Sequence, residues 1–225
     1  MPHAIAVDGP SGSGKSTVAK IVAGRLKFNY IDTGAMYRAV ALYCIRQNLT
    51  SDDVDEIASS ADKLKINFGS IKDNGSQNIY LNGENITERI REQDVDENVS
   101  EIASIPAVRE ILLTKQRRLA REKDVIMDGR DIGTRVLPAA DLKIFLTASL
   151  EVRTDRRYKE LREKGEKISR EKVKKNLAKR DQKDSSRSHS PLAKADNAVE
   201  INSNNLSPEQ VADRIIELYR EEVES

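Results

Sequence analysis

The stretch "AIAVDGPSGSGKST", Ala4 to Thr17, decides the fold. Ala4 to Val7 is a short apolar run that ends in Asp8 and Gly9, and after the glycines Val18, Ile21, Val22 and Leu26 recur at helical spacing. The order is strand, loop, helix. Gly9, Gly14, Lys15 and Ser16 satisfy GxxxxGK[ST] in the context that the motif requires. So many Gly and Ser residues cost backbone entropy, which is repaid where backbone N–H groups turn inward around phosphate oxygens at the start of a helix. The loop Gly9, Pro10, Ser11, Gly12, Ser13, Gly14 and the opening helical residues Lys15, Ser16 and Thr17 therefore form an expected cradle for the polyphosphate of ATP. Lys15 would bridge the outer phosphates and the Ser16 hydroxyl would ligate Mg2+, with Thr17 near the α-phosphate. Asp8 fits two roles, a residue behind the magnesium ligands and a turn former.

Outward from this loop, Thr33 to Arg46 reads as a helix with Met36, Val40 and Cys44 on one face and Tyr37 and Ala41 beside them. Between Leu64 and about Asp94 the texture changes. Ile66, Phe68, Ile71, Ile79 and Leu81 partly alternate with polar residues, and Asn74-Gly75 and Asn82-Gly83 are hairpin-turn pairs, so a small antiparallel insert with helical flanks is expected. Pro106 opens a further helix with Val108, Ile111, Leu112 and Leu119 inward. "DVIMDG" from Asp124 and "LKIFLTAS" from Leu142 read as buried strands. Glu151 to Arg187 is long, charged and helix-prone, with a break near Gly165 and a poor apolar stripe, as in a helical flap. "NAVEIN" supplies a last strand, and Ser207 caps a final helix through Ile215, Ile216 and Tyr219. Alternating strands and helices imply an α/β chain with a parallel sheet flanked by helices on both faces.

Composition narrows the function. The 225 residues carry a net charge of +1, which argues against a nucleic-acid binder working by bulk positive charge. One cysteine excludes an intrachain disulfide, and two histidines cannot build the usual zinc cluster. No apolar run approaches the roughly 18 residues that a membrane span needs. A soluble, unexported monomer in a reducing cytoplasm is expected, since no long apolar face is left unassigned.

A phosphate-binding loop alone serves motors, switches and kinases. A GTPase would need strings such as NKxD and DxxG, and neither occurs. A kinase for a small phosphorylated acceptor needs a second anion site built from arginines. "IDTGAMYR" puts Thr33 at a helix start and Arg38 further along it, and "DGRDIGT" puts Arg130 and Asp131 just past a strand end, where open parallel sheets bind ligands. Arg109 lies on the helix that begins at Pro106, and "RDQKDSSR" supplies Arg180, Asp184 and Arg187.

With "DGPSGSGKST", "DTGAMYR", "DGRDIGT" and "RDQKDSSRSHSPLAKADNAV" in that order, nearly the whole chain resembles the bacterial cytidylate kinases, a branch of the P-loop nucleoside monophosphate kinases. The resemblance implies a P-loop kinase core over about 1–63, 95–150 and 188–225. It also implies an antiparallel β insert in the monophosphate-binding lobe over about 64–94 and a helical lid over about 151–187. It implies transfer of the γ-phosphoryl group of ATP to CMP or dCMP in pyrimidine nucleotide metabolism, with Mg2+. Carried over by motif, Thr33, Arg38, Arg130 and Arg187 would hold the acceptor phosphate, and Arg180 and Asp184 would address the ribose. Ser100, Arg109 and Asp131 would face the cytosine edge. Arg156 and Arg157, in "EVRTDRRYKELREK" with Arg153, would neutralise the phosphoryl group in flight together with Lys15 and Arg130. Where the family often has Ser in "DSG", this chain has Thr33, which keeps the hydroxyl. Two alternatives stand beside this reading: the same chemistry on UMP, AMP or shikimate, and a non-catalytic nucleotide-responsive module.

Overall fold

The computed structural model describes residues 2–72, 75–187 and 189–223. The strand of the opening motif, β1 (Ala4–Asp8), runs into the loop, and α1 (Lys15–Leu26) follows. Next come β2 (Asn29–Asp32), α2 (Thr33–Gln47) and α3 (Val54–Lys63). The insert comprises β3 (Ile66–Ile71), β4 (Gln77–Leu81) and the two-residue β5 (Glu84–Asn85). The chain returns through α4 (Gln93–Ile102), α5 (Pro106–Glu122) and β6 (Val125–Gly129). Then follow β7 (Leu142–Thr147), α6 (Leu150–Glu163), α7 (Arg170–Ser185), β8 (Val199–Asn202) and α8 (Pro208–Val223).

The main sheet is parallel throughout, in the order β2-β6-β1-β7-β8. Its strands are apolar on both faces because helices cover both. Ile5 and Val7 of β1, Ile126 of β6 and Ile144 of β7 pack with α1 and α8. Ala6, Val125 and Met127, pointing the other way, pack with α2 and α5. Each such large side chain, fully buried, contributes roughly 1.5–3 kcal/mol relative to exposure. An alternating pattern is therefore absent from the sequence of these strands. The short β2 carries only Tyr30 and Ile31 as buried apolar residues, and nothing in its four residues distinguishes it from a loop before α2.

The insert is a separate three-stranded antiparallel sheet, as its alternation suggests. Asn82 and Gly83 both have positive φ, 51° and 90°, as their tight turn between β4 and β5 requires. Asn74 of the other expected turn lies outside the described residues. Ile66, Ile79, Leu81 and Ile86 join the core formed with α2, α3 and α5, and Gln77 Nε2 donates to the Tyr30 carbonyl at 3.0 Å, tying the insert to β2.

In the charged segment, α6 and α7 break apart at Gly165, whose φ is +81°. Ser149 and Ser169 cap the two helices by accepting from Val152 N and Lys172 N. The helices share a small core of Leu161, Val173 and Leu177, which explains the thin apolar stripe in the sequence. Among the described residues no helix is long and apolar enough to cross a membrane.

Candidate active site

The site lies at the C-terminal edge of the parallel sheet. Gly9 has φ +150°, and a β-carbon there would run into the Leu146 carbonyl of β7, so the loop turns away from the sheet only on glycine. Gly14, with φ +97°, starts α1, whose first residues are Lys15 and Ser16. Lys15 is 5% exposed, and its Nζ donates to the Pro10 carbonyl at 2.8 Å within the loop. Burial and the Arg130 guanidinium push its pKa down, against the pull of Asp128 and Asp8.

Asp8 and Asp32 end β1 and β2, and Asp128 is the last residue but one of β6 between them, with Val7 and Asp32 each opposite Asp128 in register. Asp8 accepts from Ile132 N at 2.8 Å and Gly133 N at 2.7 Å, which fixes the turn after β6 against the phosphate loop. Burial raises its pKa to about 6 even so. Asp128 accepts the Ser16 hydroxyl at 2.8 Å and the Tyr30 hydroxyl at 2.8 Å. Burial and the Asp32 charge raise its pKa, opposed by Lys15. Sequence reasoning missed Asp128. Its signal was present in the apolar run "VIM" ending in an acid, but its place beside Ser16 depends on β6 pairing with β1, which no local pattern states.

The arginines expected on the acceptor side form two ionic clusters. Asp184, 2% exposed, receives Arg130 Nε at 2.7 Å and also pairs with Arg187. These guanidinium groups hold its carboxyl below the usual range despite burial. Asp96, on α4, receives Arg38 Nη2 at 3.4 Å, Arg180 Nη1 at 3.3 Å and Arg157 Nη2 at 3.3 Å. Sequence reasoning missed this residue too, since a lone acid on a helix carries no signal. The clusters adjoin each other and the loop: Arg180 feels Arg38, Arg130 and Asp184, and Lys15 feels both Arg130 and Arg180.

A third group forms around Arg109. Arg109 is 5% exposed and donates to Asp131 Oδ2 at 2.5 Å and to the Ala103 carbonyl at 3.1 Å, with its guanidinium 5.2 Å over the Tyr37 ring. Its buried Nε has no hydrogen-bond partner among the described residues. Burial pushes the Tyr37 phenol up to about 12, so it is neutral. Ser100 lies half-buried on α4, four residues beyond Asp96 and so on the same helix face. Thr33, 3% exposed, donates its hydroxyl to the Asp128 carbonyl at 2.7 Å and packs close to Gly129. The structure thus divides the expected acceptor arginines among Asp96, Asp184 and Asp131, while Thr33 bonds the Asp128 carbonyl.

From α6, Arg153 Nη1 donates to the Ser11 carbonyl at 3.1 Å and pairs with Asp181 at 2.6 Å. Arg156 reaches the loop as well, donating to the Ser13 carbonyl at 3.3 Å and to both the hydroxyl and the carbonyl of Ser203. Arg157 instead pairs with Asp96 and Glu160.

Comparison with known proteins fits this layout. The sequence matches the family described as cytidylate kinase over residues 5–221. It is 47% identical over 216 residues to a cytidylate kinase of Caldanaerobacter subterraneus subsp. tengcongensis, covering 96% of this chain and 94% of that protein. It is 48% identical over 216 residues to a cytidylate kinase of Listeria monocytogenes, covering 95% and 94%. Among solved structures, a gluconokinase from Sinorhizobium meliloti superposes with a TM-score of 0.50 at 13% identity, covering 98% of this chain and 93% of that one, a likeness of fold alone.

Proposed function

The chain belongs to the cytidylate kinase family and is a nucleoside monophosphate kinase whose acceptor is CMP or dCMP, and we propose that two facing cradles divide that reaction between them. The observation that carries this reading is the gathering of Arg130 and Arg187 on Asp184, and of Arg38 and Arg180 on Asp96, with Arg130 directly after Gly129, which lies opposite Asp8 at the start of the phosphate loop.

On the donor side, Gly9 to Thr17 take the polyphosphate of ATP on backbone N–H groups, and Lys15 neutralises its outer charge. The Ser16 hydroxyl and the Asp128 carboxylate offer hard oxygen donors of the kind that Mg2+ accepts, and they are already paired. When bound there with ATP, Mg2+ would supply charge neutralisation on the phosphates. Arg156, held at the loop by Ser203, and Arg157 bring positive charge from the lid, read as 151–187.

On the acceptor side, Thr33, Arg38, Arg130 and Arg187 take the monophosphate, with Arg180 and Asp184 toward the ribose. Arg109 and Asp131, with Ser100 nearby, read the cytosine edge. A guanidinium donor beside a carboxylate acceptor matches the ring acceptors and the amino donor of cytosine, whereas uracil presents a carbonyl in place of the amine. The insert, read as 64–94, shares the core formed with α2, α3 and α5.

Transfer is direct and in line, with no covalent enzyme intermediate. The acceptor phosphate has its second pKa near about 6, so its oxygen is ionised at neutral pH and needs no strong base. Asp131, bound to Arg109, recognises the base and moves no proton. Positioning and charge neutralisation supply the rate. Among the described residues the only exposed large apolar side chains are Val54, Leu206 and Val223, which supports a monomer, and the buried free Cys44 agrees with a reducing cytoplasm.

The test separates the cradles. Lys15→Ala abolishes transfer while CMP affinity stays near that of the wild type, and Arg130→Ala loses both transfer and CMP affinity. CMP titration calorimetry beside an ADP-release assay measures each arm. Unchanged CMP binding in the arginine variant would remove the second anion site.

A further inference from the structure

Asp96 gathers arginines from three helices. Its Oδ1 accepts from Arg38 of α2 and Arg180 of α7, and its Oδ2 accepts from Arg157 of α6. One carboxylate therefore bridges the core and both lid helices.

Its contacts differ in kind from the other ion pairs of the site. Arg109–Asp131 closes to 2.5 Å, Arg153–Asp181 to 2.6 Å and Arg130–Asp184 to 2.7 Å. The three contacts to Asp96 lie at 3.3–3.4 Å, the outer edge of hydrogen-bond range. A carboxylate shared three ways at that distance acts as a counter-ion to a cationic cluster, with no single partner bound tightly. Arg157 also pairs with Glu160 at 2.8 Å, but among the described residues Arg38 and Arg180 have no other acid within ion-pair distance. Burial and Arg38 push the Arg180 pKa down to about 10, with Asp96 and Asp184 pulling the other way, and the guanidinium stays charged.

The space around the cluster is small. A cavity of about 40 Å³ lies beside it, lined by Asp32, Ala35, Arg38, Asp96, Arg157 and Glu160. That holds a few waters and not a nucleotide phosphate with its sugar. A phosphate that pairs with Arg38 competes with Asp96 for its guanidinium. A phosphate dianion carries more charge than a carboxylate and outcompetes Asp96 for the Arg38 fork.

We propose that Asp96 is a positioning residue that serves as the internal counter-ion of the acceptor-phosphate site. It holds Arg38, Arg157 and Arg180 together and, beside the Arg130–Asp184 and Arg156–Ser203 contacts, helps dock the lid on the core, and the incoming phosphate of the acceptor takes Arg38 from it. This rests on the reading of Arg38 and its neighbours as the acceptor-phosphate site. Asp96 thus docks the lid and at the same time competes with the substrate.

The test uses Asp96→Asn, which keeps the shape and removes the charge. In nucleotide-free protein, limited trypsin digestion of the segment 150–185 speeds up by about fivefold or more as the lid undocks. The Kd and KM for CMP fall by about threefold or more because the competing anion is gone. A residue that only braces α4 would raise KM or leave both constants alone. Thermal melts identify a variant that misfolds, and Asp96→Ser then carries the same two readouts. Either readout unchanged, or CMP affinity weakened, overturns the proposal. A wild type that fails to phosphorylate CMP would sink the acceptor reading and yet leave the digestion arm intact, so the two failures are distinguishable.

Discussion

The Ser16 hydroxyl donates to the Asp128 carboxylate across 2.8 Å, joining residues 112 positions apart. The contact exists because β6 lies beside β1 and puts its terminal acid next to the first turn of α1. Asp128→Asn keeps the size of the side chain and removes its charge. We expect kcat for CMP-dependent ADP formation to fall on the order of 10²-fold or more, with the KM for CMP little changed, because the lost interaction serves the donor phosphates. Steady-state kinetics at saturating CMP measure it. Retention of more than about half the wild-type kcat would remove Asp128 from the donor cradle.

Asp8 supplies a pH signature. Burial raises its pKa from 3.8 to about 6, against the two N–H bonds from Gly133 and Ile132. A carboxyl raised on folding gives its full stabilisation below about pH 4 and loses it as the pH climbs through about 6, a difference of roughly 3 kcal/mol at most. Asp8→Asn does not titrate. Its stability relative to the wild type therefore improves from about pH 4 to about pH 7, on top of a constant loss from the weakened contact with Gly133. Asp96 and Asp184, whose pKa values are lowered, act in the opposite sense at more acid pH and cancel in the comparison. Urea denaturation of both proteins at several pH values measures the slope, and a difference that is flat with pH contradicts it.

Gly9→Ala tests the geometry of the loop itself. The added carbon meets the Leu146 carbonyl at a backbone angle that L residues rarely adopt. A loss of at least about 2 kcal/mol follows, or roughly 5 °C in Tm for a chain of this size. Calorimetry decides, and an unchanged Tm would mean that the loop can move away from β7 at little cost.

Sequence and structure agree most closely where the chemistry is local. The phosphate loop spans nine residues, and each constraint on it, from glycine conformations to the helix start, is written in adjacent positions. The insert was legible for the same reason, through the Asn82-Gly83 turn and the inward Ile79 and Leu81. Asp128, Asp96 and β2 were not. Asp128 gains its meaning from strand order, Asp96 from three helices meeting in space, and β2 is too short to show a period. The arginines were recognisable as a set, but their division between Asp96 and Asp184 is a product of packing.

The acceptor assignment is tested most directly by kcat/KM measured side by side for CMP, dCMP, UMP and AMP with magnesium ATP. We expect CMP and dCMP to exceed UMP and AMP by at least about tenfold, because a site built around the Arg109–Asp131 pair leaves buried polar groups unpaired with the wrong base. A preference for AMP or UMP, or ADP formation at the same rate with no acceptor present, would contradict the account.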